Sequence, residues 1–558
     1  MKKISILSMV TCALFIFSCN DYLGFEQPAS TLAKDAFNTS TDAIQATTAA
    51  YVPLQWEYGY GTFFYEWWIG DVCTDDALKG GEALDATPLA YDLENFKTRS
   101  DNDILYRYYR AQYIGAFRAN FARENIEKMD DKLFESGLKN RLIGEALFLR
   151  AMYHLRLVRV FGGVPVADRI IYVQAEWKQD RASEREVYAF IENDLKHAIP
   201  SLPTQDKYPA ADAGRVSKGA ARALLMKVYL NQGKYDEAKL QGDSIINQDP
   251  YRYQLMANYN DNFDYTKENN KESLFEIQYL DNSLGDWGGD FGGMGATRAN
   301  WTTVMTRPRW ALQSDKMTPA IGWGWNRPTQ ELYDEFEPGD MRRDATIINP
   351  SEEIAPTESE SATNLYFYLG NRYHSRKYSM MLPDTTFVPL DSNNPRGEIN
   401  HKEIRYSDVL LMYAEACVKS ATPDLPQAKW ALEQVRNRAR TFSGGSVLPE
   451  FPNYEIPLHG VGQGGAKQLQ DNAEDLYLAI QHERRVELAM EGHRWFDLKR
   501  WGLLYTVMNH YRETTKPHIA EHIAPFVKGK HELFPIPLQE RDLNPMAQNP
   551  GYDGVPVN

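Results

Sequence analysis

The charged stretch at 483–500 carries the residues whose types and spacing are best suited to chemistry. Glu483, Glu487 and Glu491 recur at intervals of four, which places three carboxylates along one face of a helix. Such a row of acids can bind a metal ion or transfer protons. Arginines also lie three residues from carboxylates, in the pairs Arg484–Glu487, Glu491–Arg494 and Asp497–Arg500. Because charges at this spacing pair along a helix, we predict a structural network of ion pairs here.

Other catalytic signatures fail at an essential position. His482 and Glu483 begin like a zinc-protease helix, but Val486 stands where that motif requires its second histidine. The glycine-rich run at 288–293 lies among aspartates, which would oppose a phosphate. The sequence holds neither a G-x-S-x-G elbow nor a P-loop motif. We therefore expect a protein that is not an enzyme and needs no cofactor. A surface glycosidase, which requires two acids facing one cleft, stays open as an alternative.

Tryptophans are concentrated in two irregular patches that are rich in Gly, Pro, Asn and Asp, at 52–102 and 281–400. Long irregular segments of a compact protein are usually functional. Flat aromatic rings can stack on the C–H faces of sugar rings, while polar side chains bind the hydroxyl groups. The candidate ligand-binding residues are therefore Trp67, Trp68, Asp71, Trp287, Trp301, Trp323 and Trp325.

The segment Trp323-Gly324-Trp325 is the most specific of these candidates. Gly322, Pro319 and Pro328 flank it and favour a kinked surface loop. Residues i and i+2 of an extended segment face the same way, so we expect the two indole rings to form one exposed surface. Its partner stays open between a sugar ring and another protein.

Helical periodicity dominates the rest of the chain. The stretch 218–250 places Leu225 and Tyr229 on one helix, ends that helix at Gly233, and begins a second helix near Ala238. These offsets resemble a tetratricopeptide repeat, in which small and aromatic residues let two antiparallel helices nest. Looser helix pairs are predicted at 141–200 and 406–439. Such pairs must stack to bury their apolar faces, so the fold class is mainly α with loop-rich insertions.

The charge balance limits the partners. The 558 residues include 61 Lys and Arg against 76 Asp and Glu, a net charge of −15. A phosphate backbone requires a basic face, so we expect no nucleic-acid partner. Outside the N-terminal leader only Cys73 and Cys417 remain. They are far apart in sequence and lack metal-ligand spacing, and we predict two buried free thiols.

The N-terminus reads as a targeting signal. Lys2 and Lys3 precede an apolar stretch at 4–17, which is too short to span a bilayer and is typical of a signal peptide. The stretch ends in Ile-Phe-Ser before Cys19, similar to the lipobox of bacterial lipoproteins. Lipidation of Cys19 would anchor the protein to a membrane, because each buried CH₂ contributes about 0.8 kcal/mol.

Motifs distributed over most of the chain resemble the SusD/RagB family of nutrient-binding lipoproteins. They are CNDYL at 19–23, RAMY at 150–153, FGGVP at 161–165, IRYSDVLLMYAEA at 404–416, VRNRA at 435–439, ERRVEL at 483–488, EGHRWFDL at 491–498, FPIP at 534–537, NP at 544–545 and QNPGY at 548–552. Each motif alone is weak, but their order and spacing are specific.

The resemblance implies a helical, tetratricopeptide-like protein that is not an enzyme. It further implies a surface lid on a SusC-like TonB-dependent transporter of the outer membrane, with an oligosaccharide or, in some branches, a peptide as ligand. The expected organisation is a signal peptide at 1–18, a tether at 19–32 and a single unit at 33–558. Within that unit we predict helical repeats to about 280, a loop-rich insertion at about 281–400 and C-terminal helices at about 401–558.

Overall fold

Helices provide most of the regular structure in the computed structural model, which confirms the predicted fold class. It describes residues 36–59, 62–81, 88–280, 299–308, 322–349, 369, 371–380, 397–445 and 447–557. The predicted signal peptide at 1–18, the predicted tether at 19–32 with Cys19, and Trp287 lie outside these residues. The division of the unit into repeats, insertion and C-terminal helices therefore stays a prediction.

The helices of the N-terminal half form one continuous stack. They are α1 (Ser40–Tyr51), α2 (Pro88–Glu94), α3 (Asp103–Lys128), α4 (Leu138–Phe161), α5 (Glu184–Ser201), α6 (Lys218–Asn231) and α7 (Tyr235–Asp243). From α3 to α7, each helix packs against the next one along the chain. The predicted pair at 218–250 corresponds to α6 and α7, and the looser pair at 141–200 corresponds to α4 and α5.

Ten further helices are described in the C-terminal half of the chain. They are α8 (Thr302–Thr306), α9 (Gln330–Glu335), α10 (Arg342–Thr346), α11 (Tyr406–Lys419), α12 (Leu425–Phe442), α13 (Ala473–Glu487), α14 (Arg494–Trp501), α15 (Leu504–Thr514), α16 (Pro517–His522) and α17 (Leu538–Leu543). Helix α11 packs against α7 on one side and against α12 and α13 on the other. The pair predicted at 406–439 is α11 and α12.

Small residues set the close approach of neighbouring helices. A Cβ atom on Gly242 of α7 would lie 2.4 Å from the ring of Tyr413 in α11, and one on Gly115 of α3 would lie 2.3 Å from the ring of Tyr153 in α4. A real Cβ atom cannot occupy either position, because both distances are far below van der Waals contact. The close packing of these helix pairs therefore requires glycine at both positions.

Short antiparallel two-stranded ribbons connect the helical parts within the described residues. The pairs are β1 (Tyr58–Gly59) with β2 (Thr62–Phe63), β3 (Ala77–Gly80) with β5 (Trp325–Pro328), β4 (Ser273–Ile277) with β8 (His401–Arg405), β6 (Ile347–Ile348) with β7 (His374–Ser375), and β9 (Glu455–Pro457) with β10 (Ala466–Gln468). In the β3–β5 ribbon, Gly80 is opposite Trp325 and Leu78 is opposite Arg327. This ribbon brings the two tryptophan-rich patches of the sequence together.

The C-terminal segment returns to the N-terminal helices. The backbone N–H of Phe534 donates to the carbonyl of Val160 at 3.0 Å, and that of Leu538 donates to Ser100 at 2.9 Å. Farther along, the Asn549 side chain donates to the carbonyl of Phe161 at 3.0 Å. The C-terminal segment is therefore hydrogen-bonded to the helices of the N-terminal half.

The core contains the two thiols that the sequence predicted to be buried. Cys73 and Cys417 are free and buried.

Among the described residues, no helix combines the length and the apolar character needed to cross a membrane.

Candidate functional site

Seven aromatic side chains from separate segments form what we call the aromatic cluster: Phe63, Tyr65, Trp67, Trp68, Trp301, Trp323 and Trp325. Phe63 is central, because its ring meets all three tryptophans of the later segments edge-on at centroid distances of 5.5–5.7 Å. Tyr65 stacks on Trp67 at 4.6 Å, and Trp68 contacts Trp325 at 5.3 Å. Contacts of this kind each contribute about 0.5–1.5 kcal/mol beyond area burial.

Local backbone structure fixes the cluster. Trp68 begins a single π-helical turn, Trp68–Val72, and its indole N–H donates to the carbonyl of Phe63 at 3.2 Å. The indole N–H of Trp67 donates to the hydroxyl of Thr302 in α8, also at 3.2 Å. Opposite Trp325, Gly80 has a φ of +77°, and a Cβ atom there would lie 2.1 Å from a carbonyl oxygen. Only glycine fits this close approach of β3 to β5.

The prediction that Trp323 and Trp325 form one exposed surface is wrong for Trp325. Trp325 is 1% exposed, because its strand pairs with β3 and its ring packs between Trp68 and Phe63. The two indole rings are indeed neighbours, with centroids 5.5 Å apart and planes at 70°. Trp323 alone in the cluster is half-buried rather than buried.

The remaining tryptophan candidates are covered as well. Trp67, Trp68 and Trp301 are 6%, 1% and 1% exposed. Asp71 is also buried, and its carboxylate accepts hydrogen bonds from the Asn326 side chain at 3.0 Å and from the backbone N–H of Gly492 at 2.9 Å. Burial raises the pKa of Asp71 to about 7. These buried side chains support the aromatic cluster and do not form its surface.

Sequence reasoning missed Phe63 and Tyr65. They belong to the run Thr62-Phe-Phe-Tyr, which only Glu66 separates from Trp67, and every aromatic residue of that run is buried. Alternate members of the run, Phe63 and Tyr65, stack at a centroid distance of 6.0 Å. The period-two spacing of aromatic residues was the signal that could have identified them.

The acidic row at 483–500 does not lie on one continuous helix. Helix α13 ends at Glu487, and Glu491 lies in a turn in which Met490 has a φ of 61° and Gly492 a φ of 79°. The prediction that Glu491 continues the same helix face is therefore wrong. Glycine tolerates such positive φ values without strain, and this turn redirects the chain into α14.

Most of the predicted local pairs are replaced by long-range ones. Arg484 pairs with Asp408 at 2.8 Å and with Asp497 at 2.9 Å, and Arg494 pairs with Asp75 at 2.9 Å. The local pair Asp497–Arg500 is confirmed at 2.9 Å. The structural network is thus confirmed, but it connects distant parts of the chain.

The central carboxylates are saturated with cations. Glu487 is buried and contacts Arg342 at 3.0 Å, Arg405 at 3.1 Å and also Arg438. Although burial alone would raise it, Arg405 and Lys377 hold the pKa of Glu491 at about 2. A general acid needs a pKa near the working pH, so these groups are unsuited to proton transfer. Among the described residues, no group of three or more His, Cys, Asp and Glu side chains could hold a metal ion.

Sequence comparisons agree with this architecture. A model of the SusD family matches residues 271–552, and a model described as starch-binding, associating with the outer membrane, matches 82–230. SusD-like protein P2 of Formosa agariphila is 28% identical, covering 99% of this chain and 100% of the relative. A SusD-like protein of Bacteroides ovatus is 24% identical, covering 89% of this chain and 82% of the relative.

Solved structures share the fold over nearly the whole length. A laminarin-binding SusD-like protein is similar with a TM-score of 0.73 and 28% identity, covering 92% of this chain and 100% of that chain. Surface glycan-binding protein A from Bacteroides thetaiotaomicron, in complex with laminarihexaose, is similar with a TM-score of 0.71 and 22% identity. The matched region covers 92% of this chain and 100% of that chain.

Proposed function

Since this chain belongs to the SusD family, we propose that it captures an oligosaccharide at the outer-membrane surface and delivers it to a SusC-like TonB-dependent transporter. Proteins of this family bind ligands and are not catalytic. The saturated carboxylates at 483–500 fit a role in binding rather than hydrolysis. A laminarin-like β-glucan is the first ligand class to test, because a relative of the same fold at 28% identity binds laminarin.

The half-buried ring of Trp323 is the observation that carries this proposal. Its ring makes T-shaped contacts with Phe63 and with Trp325, both at a centroid distance of 5.5 Å, at interplanar angles of 88° and 70°. A ring fixed by two perpendicular neighbours loses little conformational freedom when a ligand binds. An indole face held in this way is suited to stack on the C–H face of a pyranose.

We expect Trp323→Ala to weaken glycan binding by about 5- to 150-fold, the range for a hot-spot residue. The thermal midpoint should change less than for a fully buried tryptophan, since a partly buried ring contributes less to stability. Isothermal titration calorimetry with laminarihexaose and laminarin, with parallel thermal melting, checks both expectations. Trp430→Ala is the matched control, because Trp430 is 39% exposed on α12. Unchanged affinity in Trp323→Ala, or equal losses in both variants, would contradict this placement.

We propose that acyl chains on Cys19 hold the protein at the outer membrane. The lipobox-like end of the leader supports this proposal. We expect Cys19→Ala to move the protein from the outer-membrane fraction to the soluble fraction in cells that lack the transporter, with Cys73→Ala as the matched control. A Cys19→Ala protein that stays with the membrane in those cells would contradict lipid anchoring.

A further inference from the structure

A cavity lies apart from the aromatic cluster, at the other end of the β3–β5 ribbon. We call it the α9–α15 cleft, because the start of α9 and the end of α15 form its walls. Its volume is about 560 Å³, within the range of roughly 300–1,000 Å³ that is usual for small-molecule sites. The lining residues that matter here are Leu78, Glu331, Arg372, Tyr511, Thr514 and Lys516.

The buried Tyr511 phenol offers an unused hydrogen-bonding group in this cleft. The side chain is 2% exposed, and its hydroxyl lies beside the Thr515 side chain without forming a hydrogen bond of ordinary geometry. Leaving such a group poorly bonded in the interior destabilises the folded protein. Burial raises the pKa of Tyr511 far above its ordinary value, so the phenol remains a proton donor at neutral pH. A polar ligand in the cleft would satisfy it.

The acidic and basic side chains that line the cleft are equal in number. Glu331 and Asp334 offset Arg372 and Lys516. A strongly charged ligand would meet a like charge on one wall. A neutral ligand with many hydroxyl groups can both donate to the carboxylates and accept from the cations. The cleft therefore favours a polyhydroxylated ligand without net charge.

Apolar and aromatic groups complete the lining. Leu78 is 1% exposed and Ile519 is 7% exposed, so both are held firmly by the core. Beside them, Tyr373 donates from its hydroxyl to the side chain of Gln330 at 3.1 Å. A lining that combines a fixed apolar floor with many polar groups matches the two faces of a sugar ring.

We propose that the α9–α15 cleft binds a saccharide unit and is a second glycan site of this protein. This inference rests on the proposed glycan-binding function and assigns the same ligand class to a second place. Trp323 and Thr329 are six residues apart along an extended segment, on the order of 20 Å. Two sites at such a separation would let one long glycan bind with higher avidity than a short one.

The test blocks the cleft with a bulky side chain. Thr514 is exposed and lines the cleft, whereas its neighbour Glu513 is exposed and does not line it. Wild-type protein should bind laminarihexaose at two sites in calorimetry, Thr514→Trp at one site, and Glu513→Trp at two. Trp323→Ala should abolish binding at the Trp323 site and retain binding at the α9–α15 cleft.

Tyr511→Phe tests the chemistry without filling the space. Loss of the hydroxyl should weaken binding at the cleft about 2- to 10-fold. The thermal midpoint should stay the same or rise, because the hydroxyl has no ordinary partner within the protein. A purely structural role for Tyr511 would instead lower the midpoint and leave affinity unchanged, and that result would overturn the inference.

The outcomes separate the two proposals. A single wild-type site that Trp323→Ala removes and Thr514→Trp leaves intact would overturn the second site and leave the proposed function standing. A single site that only Thr514→Trp removes would support the cleft and overturn the placement at Trp323. If laminarihexaose, maltohexaose and xylohexaose all fail to bind the wild-type protein, the proposed function fails and the cleft assignment fails with it.

Discussion

Replacing Glu487 with alanine is expected to lower the free energy of unfolding by about 3–5 kcal/mol, as for other buried ion pairs that lose one partner. Glu487 is fully buried and contacts three arginines, Arg342, Arg405 and Arg438. Those guanidinium groups come from parts of the chain up to 145 residues away in sequence. The substitution leaves their charges in the core without the carboxylate that offsets them.

Urea denaturation followed by circular dichroism measures this loss. Glu474→Ala is the matched control, because Glu474 is an exposed glutamate in the first turn of the same helix. Its removal should change stability by less than about 1 kcal/mol. A Glu487→Ala protein that unfolds at the wild-type urea concentration but no longer binds glycan would contradict the structural role.

Trp325→Ala should lower the free energy of unfolding by about 3–5 kcal/mol, the range for truncating a large buried aromatic side chain. Its ring is 1% exposed and fills the space among Phe63, Trp68 and Trp323. Removal would leave a cavity where β3 pairs with β5. Because Trp323 lies two residues away and is only half-buried, the same truncation there should have a much smaller effect on stability.

The two variants together give a sharp comparison, since each removes one indole from the same short segment. Urea denaturation should show a large shift for Trp325→Ala and a small one for Trp323→Ala, and calorimetry should show the larger affinity loss for Trp323→Ala. Trp325→Phe, which retains an aromatic ring, should recover part of the stability. If the order of the two stability losses is reversed, the assignment of buried and exposed rings is wrong.

Helical organisation could be predicted from the sequence because its signals are local. Gly233, Tyr229 and Ala238 lie within one turn-and-helix unit, and their spacing alone indicates two nested helices. The end of α4 at Phe161 follows from Gly162, which has a φ of 72°. Steric requirements of this kind act between residues that are close in the chain, so that a short window of sequence contains them.

The candidate site was less predictable because long-range pairing decides burial. Nothing near Trp325 in the sequence shows that Gly80 will lie opposite it in a ribbon. The predicted pair Arg484–Glu487 likewise had the right spacing, but Asp408 and Asp497 compete successfully for Arg484. Local patterns identified the residue types that matter and could not identify their partners.

The network that joins the two ends of the chain has a consequence for biosynthesis. Asp76 is made early, yet its partner Arg485 follows 409 residues later. Asp75 likewise waits for Arg494, 419 residues away. Until those arginines are present, folding of this region would bury carboxylates without cations, which is costly. A polypeptide interrupted before residue 485 should therefore leave both carboxylates without these cations, and β3, which follows them directly, should settle only when nearly the whole chain is present.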